Sequence, residues 1–207
     1  PMLNDDHRNK LYESSIRNAC VAAVDNLKEG QEETSKNEKI RILDIGSGTG
    51  LLAMLASKFM NEVSTKDIEV VSIEMASAMA RLARKTVEDN ELGTSIKIID
   101  GHSCENNFEP YVDGNKAILC TSELLETGLL GEGMIPALRD AWNRHLAKDA
   151  IVVPQRARVF AQVLEGKTLI NQFRGPQNDS TRNFCISTTG SGTPLLGGKG
   201  GGFRVPI

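Results

Sequence analysis

A doubly wound α/β sheet of parallel strands is the fold this sequence predicts, and three observations carry the prediction. Short β-prone runs alternate with helical segments over roughly residues 37–154. A cluster of three glycines follows directly on the first of those runs, where open parallel sheets bind ligands. Hydrophobic residues make up 40% and charged residues 25% of the 207, the proportions of a globular domain rather than of a disordered chain.

Taken in order, apolar residues recur at Tyr12, Ile16, Ala19, Cys20, Ala23, Val24 and Leu27, the spacing of an amphipathic helix that ends near Gly30. Residues 30–38 are a polar connection. Ile40 to Ile45 forms the first strand, Leu51 to Met60 a helix, Ile68 to Glu74 the second strand and Ser77 to Asn90 a second covering helix. Ile96 to Ile99 and Ala117 to Cys120 supply strands three and four; a helix over Met134 to Leu146 precedes a fifth strand, Ala150 to Val153. Beyond Pro154 the texture changes. Arg156 to Leu164 alternates as a longer strand, suited to an antiparallel module. Seven glycines between Gly190 and Gly202 then give a loose, Gly-rich tail. The expected division is an N-terminal helical segment (1–36), a Rossmann-like domain (37–154) and a final stretch (155–207).

Composition narrows the function. With 24 Lys and Arg against 27 Asp and Glu the net charge is −3, which argues against binding nucleic acid directly. Nine aromatic residues are too few for a base-stacking platform. No run approaches the roughly 18 apolar residues of a membrane span, and no signal-peptide pattern opens the chain, so the cytoplasm or nucleus is expected. Four cysteines and three histidines lack metal-ligand spacing, so no metal site is expected and the cysteines are assigned to packing.

The glycine loop reads Leu43-Asp44-Ile45-Gly46-Ser47-Gly48-Thr49-Gly50. A dinucleotide fingerprint needs glycine where Leu51 stands, and a P-loop needs a lysine that does not follow. On its own the triplet is as well explained by a tight strand-to-helix turn. Asp44 before it and Glu74, 24 residues beyond Gly50 at the end of the second strand, tip the balance toward a nucleoside site, because a carboxylate after strand two accepts bonds from both ribose hydroxyls. A ribose ligand without pyrophosphate fits, and S-adenosylmethionine is such a ligand; a nicotinamide dinucleotide is disfavoured by Leu51.

After strand four, Glu123 and Glu132 are separated by small residues that permit a hairpin (Thr121 to Gly133). Two carboxylates converging in one crevice match a guanidinium, whose fork pairs with them bidentately. For either glutamate alone, a solvated acid in a loop is the better reading.

With these residues in view, the sequence resembles the protein arginine methyltransferases. Glu123 to Glu132 is similar to their double-glutamate hairpin and Leu43 to Leu52 to their cofactor-binding motif. Met2 to Asn9, with Tyr12, resembles the N-terminal helix that folds over the cofactor. The resemblance covers about residues 2–165 and is greatest to the type III branch, which makes only monomethylarginine. It implies transfer of a methyl group from S-adenosylmethionine to a protein arginine, in a Gly/Arg-rich or histone-like substrate. It implies that Glu123 and Glu132 hold the acceptor, that Arg8 pairs with the methionine carboxylate, and that Asp44, Gly46 and Gly48 line the methionine and ribose. Glu74 would take the ribose hydroxyls, Ser103 and Cys104 the adenine, and Met2 and Tyr12 a wall near the reacting centre. The family carries a β-barrel after the Rossmann unit, here expected to be truncated to its first strand. A second reading stays open, a catalytically inactive cofactor-binding fragment acting through a full-length partner; the oligomeric state is left open.

Overall fold

In a computed structural model, residues 2–29, 39–105, 111, 115–126 and 128–160 are described, with the side chains of Met2 and Glu29 left aside. A turn of 3-10 helix (Met2–Asn4) leads into α1 (Asp6–Glu29); then follow β1 (Ile40–Ile45), α2 (Leu51–Val63), β2 (Ile68–Glu74) and α3 (Ser77–Asp89). β3 (Ile96–Asp100), β4 (Ala117–Ser122), α4 (Met134–Arg144) and β5 (Leu146–Val153) complete the described chain. The five strands lie in the order β3-β2-β1-β4-β5, every pair parallel.

Alternation along the strands decides which side chains meet which helices, since successive residues point to opposite faces. Ile40 and Ile42 of β1, with Ile68 and Val70 of β2 and Leu119 of β4, join one core with Ile16, Cys20, Ala53, Phe59, Met60 and Val87 from α1, α2 and α3. Leu43, Ile45, Val71, Ile73 and Cys120 point the other way and pack with Ala137 and Ala141 of α4 and with Tyr111, whose hydroxyl donates to the Ile42 carbonyl at 2.7 Å. Burial of a large side chain such as Phe59 or Ile16, both fully enclosed, contributes roughly 1.5–3 kcal/mol.

The structure begins α1 six residues earlier than apolar periodicity indicates. Asp6 to Leu11 are largely polar and solvent-facing, so they show no stripe; the helix starts there because the Asp5 carboxylate accepts the Arg8 backbone N–H at 2.9 Å. α1 packs against α2 and β5. β5 starts at Leu146, four residues before the expected Ala150; Leu146 is buried, and the exposed Lys148 and Asp149 that follow interrupt the apolar run. The expected strand from Arg156 is not formed over residues 155–160, which are exposed; its remainder and the Gly-rich tail lie outside the described residues. Among the described residues no helix is long and apolar enough to cross a membrane.

The strand order also fixes where a site opens. The chain leaves β1 for β2 on one side, and after β3 it returns to β4 on the other. The loops after β1 and β4 therefore part company at the carboxyl edge of neighbouring strands, leaving a crevice between them.

Candidate active site

The loop after β1 turns through three glycines with positive φ: Gly46 (81°), Gly48 (54°) and Gly50 (86°). That left-handed backbone strains any residue with a Cβ. At Gly46 a Cβ would also come within 2.8 Å of Leu124 Cδ2, so the loop lies tight against the chain leaving β4. At Gly48 a Cβ would meet nothing within 4 Å, so the backbone is open to an approaching ligand. The Gly46 and Ser47 amides donate to the Ile73 carbonyl, each at 2.9 Å, and the Gly50 amide closes a turn on Ser47 at 2.8 Å. Ser47 Oγ is buried without a hydrogen-bond partner among the described residues, a polar atom with capacity to spare in the middle of the loop.

Glu74 ends β2 beside this loop. Its Oε2 accepts the Gly48 amide at 2.8 Å and its Oε1 the Ala76 amide at 2.8 Å, which fixes the carboxylate at the lip of the crevice. Each oxygen keeps a further lone pair for a hydroxyl donor.

Asp44 stands elsewhere than the sequence reading has it. Its carboxylate is fully buried, and β-sheet register places it opposite Ser72 on β2 and Thr121 on β4, all three on one face. Ser72 Oγ donates to Oδ2 at 2.6 Å and Thr121 Oγ1 to Oδ1 at 2.7 Å. Asp44 therefore ties three strand ends together beneath the loop and presents no surface to a ligand. Burial pushes its pKa from 3.8 up to about 6, against the lowering effect of those two hydroxyls and with a smaller raising effect of Glu74. Below pH 3.8 the group is protonated folded and unfolded alike; relative to that, stability falls as pH rises from 3.8, and the contribution is fully lost once pH passes about 6, where the buried group ionises. The difference in unfolding free energy between Asp44→Asn and the native chain should accordingly move by roughly 2 kcal/mol in favour of the variant between about pH 4 and pH 7. Urea denaturation of both at each pH measures it; a constant difference would show that burial does not perturb Asp44.

The other wall comes from α1 and the segment after β4. Tyr12 Oη donates to the Ser122 carbonyl at 3.3 Å, laying the helix across the end of β4. Burial, and secondarily Glu123, pushes the Tyr12 phenol up to about 12, so it remains a donor. Arg8 lies with its guanidinium carbon 5.0 Å from the Tyr12 ring centroid and its Nη2 3.3 Å from Glu123 Oε1. Arg8, expected to pair with a cofactor carboxylate, is placed at the crevice beside Glu123.

From Glu123 the chain runs to Glu132 through a tight turn organised by Glu126, a residue the sequence reading left without a role. Its Oε2 accepts the Gly128 amide at 2.6 Å, its Oε1 the Gly131 amide at 2.9 Å, and its backbone carbonyl the Leu129 amide at 2.8 Å. The available signal was a glutamate followed by glycines two and five residues later, where amides can crowd a carboxylate. Glu132 is exposed, and its pKa is raised by desolvation first and then by the charges of Glu123 and Glu126. Three acids thus share one small region, which favours a cation there.

Past β3, Ser103 is buried and Cys104 half-buried, their Oγ and Sγ 3.8 Å apart, in a turn where the Cys104 amide donates to His102 Nδ1 at 3.1 Å. The turn faces the same carboxyl edge as the glycine loop. Among the described residues no group of three or more His, Cys, Asp or Glu could hold a metal ion.

The family whose model matches residues 11–122 is described as Protein-L-isoaspartate(D-aspartate) O-methyltransferase (PCMT). The match ends one residue before Glu123, so it concerns α1 to β4 with the glycine loop rather than the acidic hairpin or β5. The chain is 37% identical over 171 residues to "Protein arginine N-methyltransferase 7" of Rattus norvegicus, covering 81% of this chain and 22% of the relative. To the protein of the same name from Oryza sativa subsp. japonica it is 35% identical over 170 residues, covering 81% and 21%. It therefore spans about a fifth of the length of these relatives. Among solved structures, the Trypanosoma brucei PRMT1 enzyme-prozyme heterotetrameric complex with AdoHcy superimposes with a TM-score of 0.55 at 25% identity, over 73% of this chain and 39% of that one.

Proposed function

We propose a function from the premise that the chain belongs to the methyltransferase family of this model and is a member of the protein arginine N-methyltransferases: it transfers a methyl group from S-adenosylmethionine to a guanidino nitrogen of a protein arginine. The observation that carries the acceptor is the crowding of Glu123, Glu126 and Glu132 beside the glycine loop, with the pKa of Glu132 raised by desolvation and then by the other two carboxylates.

The residues present suit the cofactor. Gly48 offers open backbone, Ser47 an unpaired buried hydroxyl, and Glu74 a fixed carboxylate with lone pairs for a ribose diol. Ser103 and Cys104 would face the adenine, and Arg8 would answer the amino-acid carboxylate once drawn off Glu123. S-adenosylmethionine supplies an electrophilic methyl group on a sulfonium. An arginine side chain stays protonated and delocalised near neutral pH, so it needs orienting rather than deprotonating beforehand. Glu123 and Glu132 would hold its fork and draw positive charge toward the nitrogens they contact, leaving electron density on the one that attacks. As the N–C bond forms the S–C bond breaks, S-adenosylhomocysteine is the leaving group, and the proton displaced from the attacking nitrogen passes to a carboxylate of the pair and on to solvent. Likeness to the type III branch supports monomethylarginine as the product and a Gly/Arg-rich or histone-like segment as substrate, in the cytoplasm or nucleus.

A thermal shift tests the first half of this reading. S-adenosylhomocysteine should raise the melting temperature and NAD should not, because only a ligand of the folded state stabilises by mass action. Stabilisation by NAD alone would overturn the cofactor assignment. Mass analysis of a Gly/Arg-rich peptide after turnover tests the second half, with a single added methyl expected. Cofactor binding without any methylation would favour a non-catalytic module working through a partner.

A further inference from the structure

Arg144 is the last residue of α4, the helix that begins directly after the acidic hairpin. Its Nε donates to Asp140 Oδ1 at 2.9 Å and its Nη2 to Asp140 Oδ2 at 2.6 Å, a two-pronged pair with the carboxylate one turn earlier. An exposed pair of this spacing on a helix has little effect. Here the pair fixes the plane of the guanidinium, and the same Nη2 reaches off the helix to the backbone carbonyls of Ser103 at 3.2 Å and Glu105 at 3.1 Å. Two N–H groups on Nη2 serve three acceptors, Asp140 Oδ2 and the two carbonyls, and the pair with Asp140 helps hold the plane in which they do so. The carbonyls it grips lie on either side of Cys104. Within the turn the bonds are short-range: the Cys104 amide donates to His102 Nδ1, the Glu105 amide to the His102 carbonyl and the His102 amide to Glu105 Oε1, while the Gly101 amide at its root donates to the Glu74 carbonyl. The clamp from α4 anchors it to a second, distant element.

We propose that Arg144 is a positioning residue for the cofactor: by gripping the Ser103 and Glu105 carbonyls it sets the height of the turn that faces the adenine, and so sets both cofactor affinity and selectivity for the base. The proposal rests on the reading of Ser103 and Cys104 given above. Lysine cannot replace it, since an ammonium has no planar fork to pair with Asp140 while serving two carbonyls.

The test uses the full chain and titrates S-adenosylhomocysteine and S-inosylhomocysteine, which differ only in the base, into the native protein, Arg144→Ala, Arg144→Lys and Asp140→Asn. The native protein should prefer the adenine ligand. Arg144→Ala should lose roughly tenfold or more in affinity for that ligand, in line with removal of charged hydrogen bonds. Its preference between the two bases should shrink toward none. Arg144→Lys should resemble it, and Asp140→Asn should fall between. In turnover, the KM for S-adenosylmethionine should rise while kcat at saturating cofactor stays near the native value. Unchanged affinity in Arg144→Ala, or an equal loss for both ligands alongside a lowered melting temperature, would overturn the proposal. A native chain that binds neither ligand would overturn the cofactor reading, and this inference with it.

Discussion

Glu123→Gln and Glu132→Gln should each lower methylation of a Gly/Arg-rich peptide by at least roughly a hundredfold, the loss seen when one preorganised electrostatic group is removed from a catalytic site. Glutamine keeps the shape and removes the charge. The guanidinium fork needs a carboxylate on each side to be held and polarised, and an amide offers one acceptor and a donor that opposes it. Neither substitution touches the glycine loop or Glu74, so stabilisation by S-adenosylhomocysteine should persist and separate loss of chemistry from loss of cofactor. Because Glu132 holds its proton to higher pH than an ordinary glutamate, the acid limb of kcat/KM should lie above the usual carboxylate range. Turnover near the native rate in both variants would refute the assignment of these glutamates to the acceptor.

The second large effect is expected at Glu126, which need touch no substrate to matter. It accepts two backbone amides, from Gly128 and Gly131, and these set the path by which the chain carries Glu132 back toward Glu123. Hydrogen bonds to a charged group are each worth about 1.5–3 kcal/mol, so Glu126→Ala should free the turn and cut turnover by roughly tenfold to a hundredfold. Affinity for S-adenosylhomocysteine should be retained, because the glycine loop is held separately through the Ile73 carbonyl and Glu74. Glu126→Gln should recover part of the activity, since its single amide oxygen can serve one of the two amides. Full turnover in Glu126→Ala would mean that the hairpin keeps its shape without this carboxylate.

The sheet and its covering helices were legible because each strand is a compact apolar run and each helix shows an apolar stripe or a glycine boundary. Where that patterning fails, the sequence is silent. The first turns of α1 are largely polar and carry no apolar stripe, and β5 has the exposed Lys148 and Asp149 just after Leu146. At the site, the glycine loop, Glu74 and the paired glutamates could be picked out because their chemistry is written in single residues or short spacings. Asp44 could not be placed, since its partners Ser72 and Thr121 lie 28 and 77 residues away and meet it only through strand register. Arg144 was invisible for the same reason. Its contacts at Ser103 and Glu105 are backbone carbonyls about 40 residues upstream, and carbonyls carry no sequence signature.

The ion pair between Arg8 and Glu123 makes the chain's own guanidinium a rival of the acceptor's for one carboxylate. Any anion that draws Arg8 aside releases Glu123, so under the proposed function the two ligands become thermodynamically linked. The factor by which cofactor tightens the peptide must equal the factor by which peptide tightens the cofactor. The spent cofactor keeps its amino-acid carboxylate after giving up the methyl group, and so tightens the peptide in the same way. Product release is then a concerted problem: methylated peptide and spent cofactor hold each other in place, and the Arg8–Glu123 pair re-forms as they leave.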